Sequence, residues 1–152
     1  LPDFKLLKDS GVRCLIGNDG MSAGMMGEWT SLYYAMKHRY SSPSAFGLDD
    51  LLEVIDNNYS YINKTTGSRI GRIEKGYDAD LLSVEYEPPT PMEAGNALGH
   101  LVFGLSANFT PEHVWRGGNQ IVNHYHVSKA LEEKYSKAAG VARKLWERIS
   151  NG

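Results

Sequence analysis

The sequence predicts an α/β chain with a helical first part, a middle region of short strands and a final helix. Apolar residues recur at helical spacing up to residue 67, whereas from residue 69 to about residue 127 they form short runs between turn residues. Helical spacing returns after residue 128. We therefore expect three parts, residues 1–67, 68–127 and 128–152, of which the first looks like the closing unit of a barrel.

The composition is that of one ordinary globular domain. The chain has 152 residues, of which 41% are hydrophobic and 22% are charged, and its formal net charge is −2. This charge argues against nucleic-acid binding, and no apolar run reaches the roughly 18 residues of a membrane span. A single cysteine, Cys14, and the lack of a signal peptide favour a cytoplasmic location.

The first part is predicted to contain three helices and one strand. A short helix ends at Gly11, and the apolar run Val12–Ile16 forms the strand. The second helix has Ser22 as its N-cap and ends before Ser41. The third helix, which ends at Gly67, has its apolar residues on one face: Leu48, Leu51, Leu52, Ile55, Tyr59 and Ile62.

The middle region is predicted to be β structure. Strands are expected over Ala79–Tyr86 and Leu101–Leu105, followed by a hairpin whose arms flank residues 117–119. Ser128 is expected to cap the last helix. The apolar stripe of that helix contains Leu131, Tyr135, Ala138, Ala142, Leu145 and Ile149.

The most suggestive stretch is Gly17-Asn18-Asp19-Gly20, which directly follows the predicted strand. Catalytic acids of α/β proteins are commonly placed at the carboxyl end of a buried strand. The two glycines allow the main chain to turn sharply and to approach a ligand closely. Asp19 is therefore a candidate catalytic residue, and the alternative is that it only caps the turn and the next helix.

Two motifs lie on either side of the two long helices. Residues 15–20 have the sequence LIGNDG, and residues 71–82 have the sequence GRIEKGYDADLL. The first resembles the last-strand motif of the amidohydrolase superfamily, usually Gly-Thr-Asp-Gly, and the second resembles its downstream signature G-x-I-x-x-G-x-x-A-D-L. Residues 100–104 and 114–118 are similar to the closing strands of that family, and the nearest branch is the deaminase and chlorohydrolase group.

This resemblance implies a fold and a chemistry. The fold would be a (β/α)8 metal-dependent hydrolase barrel flanked by a small β-sandwich, to which this chain adds the closing strand, its helices and a C-terminal helix. The reaction would be hydrolysis of a C–N bond by water activated at one divalent metal ion, zinc or iron. Asp19 is the residue to which the roles of metal ligand and catalytic proton acceptor transfer. The implied partner is a small-molecule substrate, without nucleic acid or membrane.

The other metal ligands of the family are histidines that precede its last strand. All five histidines of this chain follow Asp19, namely His38, His100, His113, His124 and His126. His124-Tyr125-His126 would place two rings on one face of a strand, where they could share a metal. We expect instead a solvent-facing polar pair, and His100 and His113 to form hydrogen bonds within the sheet.

The expected protein is therefore the C-terminal part of a metal-dependent amidohydrolase that is inactive as an isolated chain. It would form a homo-oligomer or associate with the missing N-terminal part, because part of a barrel leaves open sheet edges. The alternative is a non-catalytic α/β binding or interaction module, in which Asp19 contributes only to stability.

Overall fold

The computed structural model describes residues 2–21 and 23–152 and consists of two compact units. Unit 1 comprises Leu1–Tyr77 and Tyr86–Phe109, and unit 2 comprises Asp78–Glu85 and Thr110–Gly152. The predicted division at residues 67 and 127 stays a prediction. In the described ranges no helix combines the length and the apolar character needed to cross a membrane.

Unit 1 is built from helices. They are α1 (Phe4–Asp9), α2 (Met25–Arg39), α3 (Leu48–Thr66) and the short α4 (Ala97–Gly99). The first three were predicted, and α3 ends as expected, at Gly67 with a φ of 73°. Ser22, the predicted N-cap of α2, lies outside the described residues.

The predicted strand Leu101–Leu105 is wrong, because these residues belong to a π-helical segment, His100–Leu105, that continues α4. A short apolar run fits a buried helix as well as a strand, and here the helical start at Ala97 is extended. Gly104 has a local role, since a Cβ at this position would collide with the hydroxyl of Tyr86.

The core of unit 1 lies between these helices. Phe46 is completely buried and meets the ring of Phe4 edge to face, with 4.9 Å between the ring centres. Because Phe46 lies in the connection between α2 and α3, its ring joins the two long helices to α1. The buried apolar residues are Phe4, Met36, Phe46, Leu51, Val54, Ile55 and Val102.

The predicted strand Val12–Ile16 is also wrong for the chain as described, since this segment belongs to no strand. Its main chain bonds instead to side chains of α3. The Ile16 N–H donates to Asn58 Oδ1 over 3.0 Å, and Asn58 Nδ2 donates to the Ile16 carbonyl over 2.6 Å. Asn57 Nδ2 donates to the Cys14 carbonyl over 3.3 Å. No strand of the described residues pairs with the segment, so these amides satisfy main-chain groups that a neighbouring strand would otherwise bind.

Charged side chains join α1 to α3. Lys8 Nζ lies 2.8 Å from Asp50 Oδ1 and 2.7 Å from Glu53 Oε2. Asp50 Oδ2 also accepts a hydrogen bond from the Gly47 N–H over 2.9 Å. Burial raises the pKa of Asp50, but the hydrogen bonds from Lys8 and Gly47 outweigh it and hold that pKa below its ordinary value of 3.8.

Acid is expected to destabilise unit 1 through Asp50 and Asp3. The pKa of Asp3 is lowered by hydrogen bonds from the Leu6 N–H and the Tyr40 hydroxyl. Because both pKa values are lower in the folded chain, the stability they add is present above the ordinary value of 3.8 and is lost as the pH falls through the folded-state values. Unfolding in urea, followed by circular dichroism from about pH 6 to about pH 2, should show this loss. The loss should be smaller for Asp50→Asn, and equal pH dependence of the two proteins would contradict the prediction.

Unit 2 contains a sheet and a helix. The strands β1 (Leu81–Ser83), β2 (His113–Arg116), β3 (Asn119–Asn123) and β4 (His126–Val127) form one antiparallel sheet in that order. Helix α5 (Lys129–Ser150) follows. The chain is thus mixed α/β, while the barrel and the sandwich of the whole protein stay predictions.

The predicted hairpin is confirmed. Gly117 and Gly118 connect β2 to β3 with φ values of 56° and 78°, which suits glycine and the tight turns of hairpins. The strand predicted over Ala79–Tyr86 is reduced to Leu81–Ser83. Ser128 is the N-cap residue of α5 as expected, although its side chain makes no capping hydrogen bond among the described residues. No described residue of α5 is buried, so its predicted apolar stripe is not covered by unit 2.

Candidate functional site

Asp19 lies in a tight turn that follows Val12–Ile16, the segment whose last residue is hydrogen-bonded to Asn58. The Met21 N–H donates to the Asn18 carbonyl over 3.1 Å, and Asp19 has a φ of 51°. Aspartate is one of the few residues that adopt this left-handed conformation readily. The residue is exposed to solvent, so its carboxylate is accessible to a ligand.

Asp19 does not cap the next helix. The N-cap residue of α2 is Gly24, and within the described part of the chain this helix has no side-chain capping hydrogen bond. This part of the alternative interpretation is wrong. The role of Asp19 in catalysis stays a prediction.

A cavity of about 390 Å³ lies beside the segment that leads to Asp19. Glu28 is the one acidic residue among its described lining residues. The remaining lining is mainly apolar, so the cavity is suited to apolar groups. The lining residues include Leu7, Cys14, Ile16, Leu32, Met36 and Val54.

A metal ion needs three or four ligands in fixed positions. Asp19 offers one carboxylate, but it belongs to no group of three potential ligands among the described residues. It therefore fits the implied metal as a single ligand, and the described residues do not complete a site around it.

The first two histidines have structural positions. His38 is exposed in the last turn of α2. His100 is buried, with Nδ1 2.8 Å from the Tyr86 hydroxyl and Nε2 3.4 Å from Thr90 Oγ1. The predicted hydrogen bonding of His100 is confirmed, but its place in a helix differs from the expected sheet.

The triplet His124-Tyr125-His126 does not lie along one strand. His124 and Tyr125 have φ values of 43° and 66° and form the turn between β3 and β4, whereas His126 begins β4. Both histidines are exposed, as predicted. The ring of His124 contacts His113, with 4.5 Å between ring centres, and not His126.

Glu112 lies next to the rings of His113 and His124. Its Oε1 atom lies 3.0 Å from His124 Nδ1 and 3.4 Å from His113 Nε2. Sequence reasoning missed this cluster, although the hairpin about Gly117 and Gly118 already implied that the residues just before β2 lie opposite the end of β3. We call Glu112, His113 and His124 the sheet cluster.

Asp80, which belongs to the motif GRIEKGYDADLL at residues 71–82, has a structural role within unit 2. Asp80 Oδ1 accepts a hydrogen bond from the Gly117 N–H over 2.6 Å, which ties β1 to the hairpin turn. Asp80 therefore accepts a main-chain hydrogen bond immediately before the start of β1.

Comparison with known proteins identifies the family. The sequence profile described as the amidohydrolase family matches residues 1–121. The 5-methylthioadenosine/S-adenosylhomocysteine deaminase 1 of Archaeoglobus fulgidus is 24% identical over 149 residues, which are 93% of this chain and 34% of that protein. The chain thus spans about a third of the length of this curated relative. No solved structure matches the chain. With most of its length matched by the profile, the chain belongs to the amidohydrolase family.

Proposed function

We propose that this chain is the C-terminal part of a metal-dependent amidohydrolase that hydrolyses a C–N bond of a small molecule, and that Asp19 is one of its catalytic residues. The observation that carries the proposal is the position of Asp19. It is an accessible carboxylate in a left-handed turn, directly after a segment held by hydrogen bonds to α3. Membership of the amidohydrolase family supports hydrolysis as the reaction.

In this proposal Asp19 has two tasks in the complete protein. Its carboxylate supplies one ligand to a divalent ion, zinc or iron, and accepts a proton from the attacking water. When bound, such an ion lowers the pKa of water and stabilises the charge that develops on the substrate. The remaining metal ligands would come from a part of the complete protein that is not among the 152 residues of this sequence.

Deamination is the first reaction to test, because the curated relative is named as a deaminase of 5-methylthioadenosine and S-adenosylhomocysteine. The complete protein would be cytoplasmic and would act as a homo-oligomer or through association of this chain with the preceding part. Glu28, which lines the apolar cavity, would lie on the substrate side of α2.

The experiment compares the complete protein with the isolated chain. Both are incubated with 5-methylthioadenosine, with S-adenosylhomocysteine and with a set of other amines and cyclic amides, and ammonia or acid release is measured. We expect turnover of at least one compound by the metal-loaded complete protein and none by the isolated chain. Turnover by the isolated chain, or none by the complete protein on any compound, would contradict the proposal.

A further inference from the structure

We propose that the sheet cluster, Glu112, His113 and His124, binds one divalent transition-metal ion such as Zn²⁺. This site lies wholly in unit 2 and shares no residue with the proposed site at Asp19. It is therefore a second metal site, and it stands or falls independently of the proposed hydrolase function.

The distances between the ligand atoms suit a tetrahedral ion. Glu112 Oε1 is 3.0 Å from His124 Nδ1 and 3.4 Å from His113 Nε2, and the three ligand atoms lie within 4.8 Å of one another. Nitrogen and oxygen ligands at about 2.0–2.1 Å from zinc are about 3.3 Å apart in a tetrahedron. The three ligand atoms are therefore close enough to share one ion once the two rings turn toward it.

Main-chain hydrogen bonds fix the backbone of the residues that carry these ligands. Glu112 lies in a bend before β2, and its N–H donates to the Ser83 carbonyl of β1 over 2.9 Å. Its carbonyl accepts from the Tyr125 N–H over 2.9 Å, which fixes the turn that carries His124. Because ordered ligands lose little freedom on binding, this arrangement favours affinity.

Burial differs across the cluster. The side chains of Glu112 and His113 are 22% and 18% exposed, whereas that of His124 is 71% exposed. Solvent therefore reaches the site from the His124 side and can supply a fourth ligand. Two imidazoles with one carboxylate favour zinc and similar ions over calcium or magnesium, which prefer oxygen ligands alone.

The other nitrogen of His113 has a partner of its own. Nδ1 lies 3.1 Å from Gln120 Nε2 and accepts a hydrogen bond from the His124 main-chain N–H over 3.2 Å. When Nε2 binds a metal, the ring proton lies on Nδ1, so the His124 N–H loses this acceptor, the ring turns away from that donor, and Nδ1–H needs an acceptor of its own. Rotation of the Gln120 amide by half a turn brings its oxygen to that position, so Gln120 becomes the residue that orients His113.

The test is a Zn²⁺ titration of the untagged 152-residue chain by calorimetry, with thermal unfolding as a second readout. We expect saturation at about one equivalent and a higher unfolding temperature with Zn²⁺, because the ion binds only the folded sheet. His124→Asn should abolish both effects. This variant keeps the fold, since the turn has a φ of 43° that asparagine tolerates and the side chain is exposed.

His126→Ala is the matched control, because His126 is a nearby exposed histidine outside the cluster. It should bind Zn²⁺ like the parent chain. Gln120→Ala should weaken binding by about 10–100-fold, as expected for a residue that orients a ligand. No saturable binding by the parent chain, unchanged binding by His124→Asn, or equal loss in His126→Ala would each overturn the proposal.

Discussion

Asp19→Asn in the complete protein is expected to reduce turnover by about 10²–10⁴-fold, the usual contribution of a positioned proton acceptor. The exchange removes the negative charge and one strong metal ligand but preserves the main chain. Asparagine tolerates the left-handed conformation in which Asp19 lies, at a φ of 51°. Folding should therefore be unchanged.

The measurement is kcat, KM and metal content of the complete protein, each compared with those of Asp9→Asn. Asp9 is also an exposed aspartate of unit 1, at the end of α1, and its exchange should leave all three unchanged. The rival interpretation, a binding module without catalysis, predicts that Asp19→Asn leaves the metal content unchanged. Activity of Asp19→Asn equal to that of the Asp9→Asn control would contradict the catalytic role.

Phe46→Ala is expected to destabilise unit 1 by about 3–5 kcal/mol, which is the range for loss of a buried aromatic ring. Phe46 is 0% exposed, and its ring meets those of Phe4 and Tyr33 at 4.9 and 6.4 Å between centres. The exchange leaves a void between α1, α2 and α3 that these helices can fill only by moving closer together. Urea unfolding of the isolated chain measures the change.

Phe103→Ala is the control for that measurement. Phe103 also contacts Tyr33, at 5.3 Å between ring centres, but it is 49% exposed. Its loss removes less buried surface and leaves a site open to water, so the change in free energy of unfolding should be clearly smaller. Equal effects of the two exchanges would show that Phe46 is not central to the core.

The helices were predictable because their signals are local. α3 has apolar residues at helical spacing and ends at Gly67, where a φ of 73° suits glycine, and no distant contact is needed to see this. The hairpin was predictable for the same reason, from Gly117 and Gly118. The position of Asp19 in a turn followed from its neighbouring glycines, whereas its proposed chemistry came from the resemblance to a family.

The two wrong strand predictions and the missed sheet cluster have one cause. Each depends on residues that are distant in the sequence or on main-chain angles that no local pattern indicates. Val12–Ile16 has the composition of a strand, but a strand exists only beside another strand, and the described residues contain none that pairs with it. Leu101–Leu105 is apolar enough for either structure, and its helical neighbour Ala97–Gly99 decided the outcome. The sheet cluster depended on left-handed φ values at His124 and Tyr125, which no local pattern in the sequence predicts.

The pairing of Asn58 with Ile16 has a consequence for motion. The two residues are 42 positions apart, and the amide proton of Ile16 is bound by a helix side chain and not by a sheet. Its exchange with deuterium should therefore follow the opening of α3, which ends at Thr66 and is among the better-packed elements of unit 1. The turn that carries Asp19 would then lose its anchor whenever α3 opens locally. The opening rate of α3 would therefore limit how long the Asp19 carboxylate stays in one position.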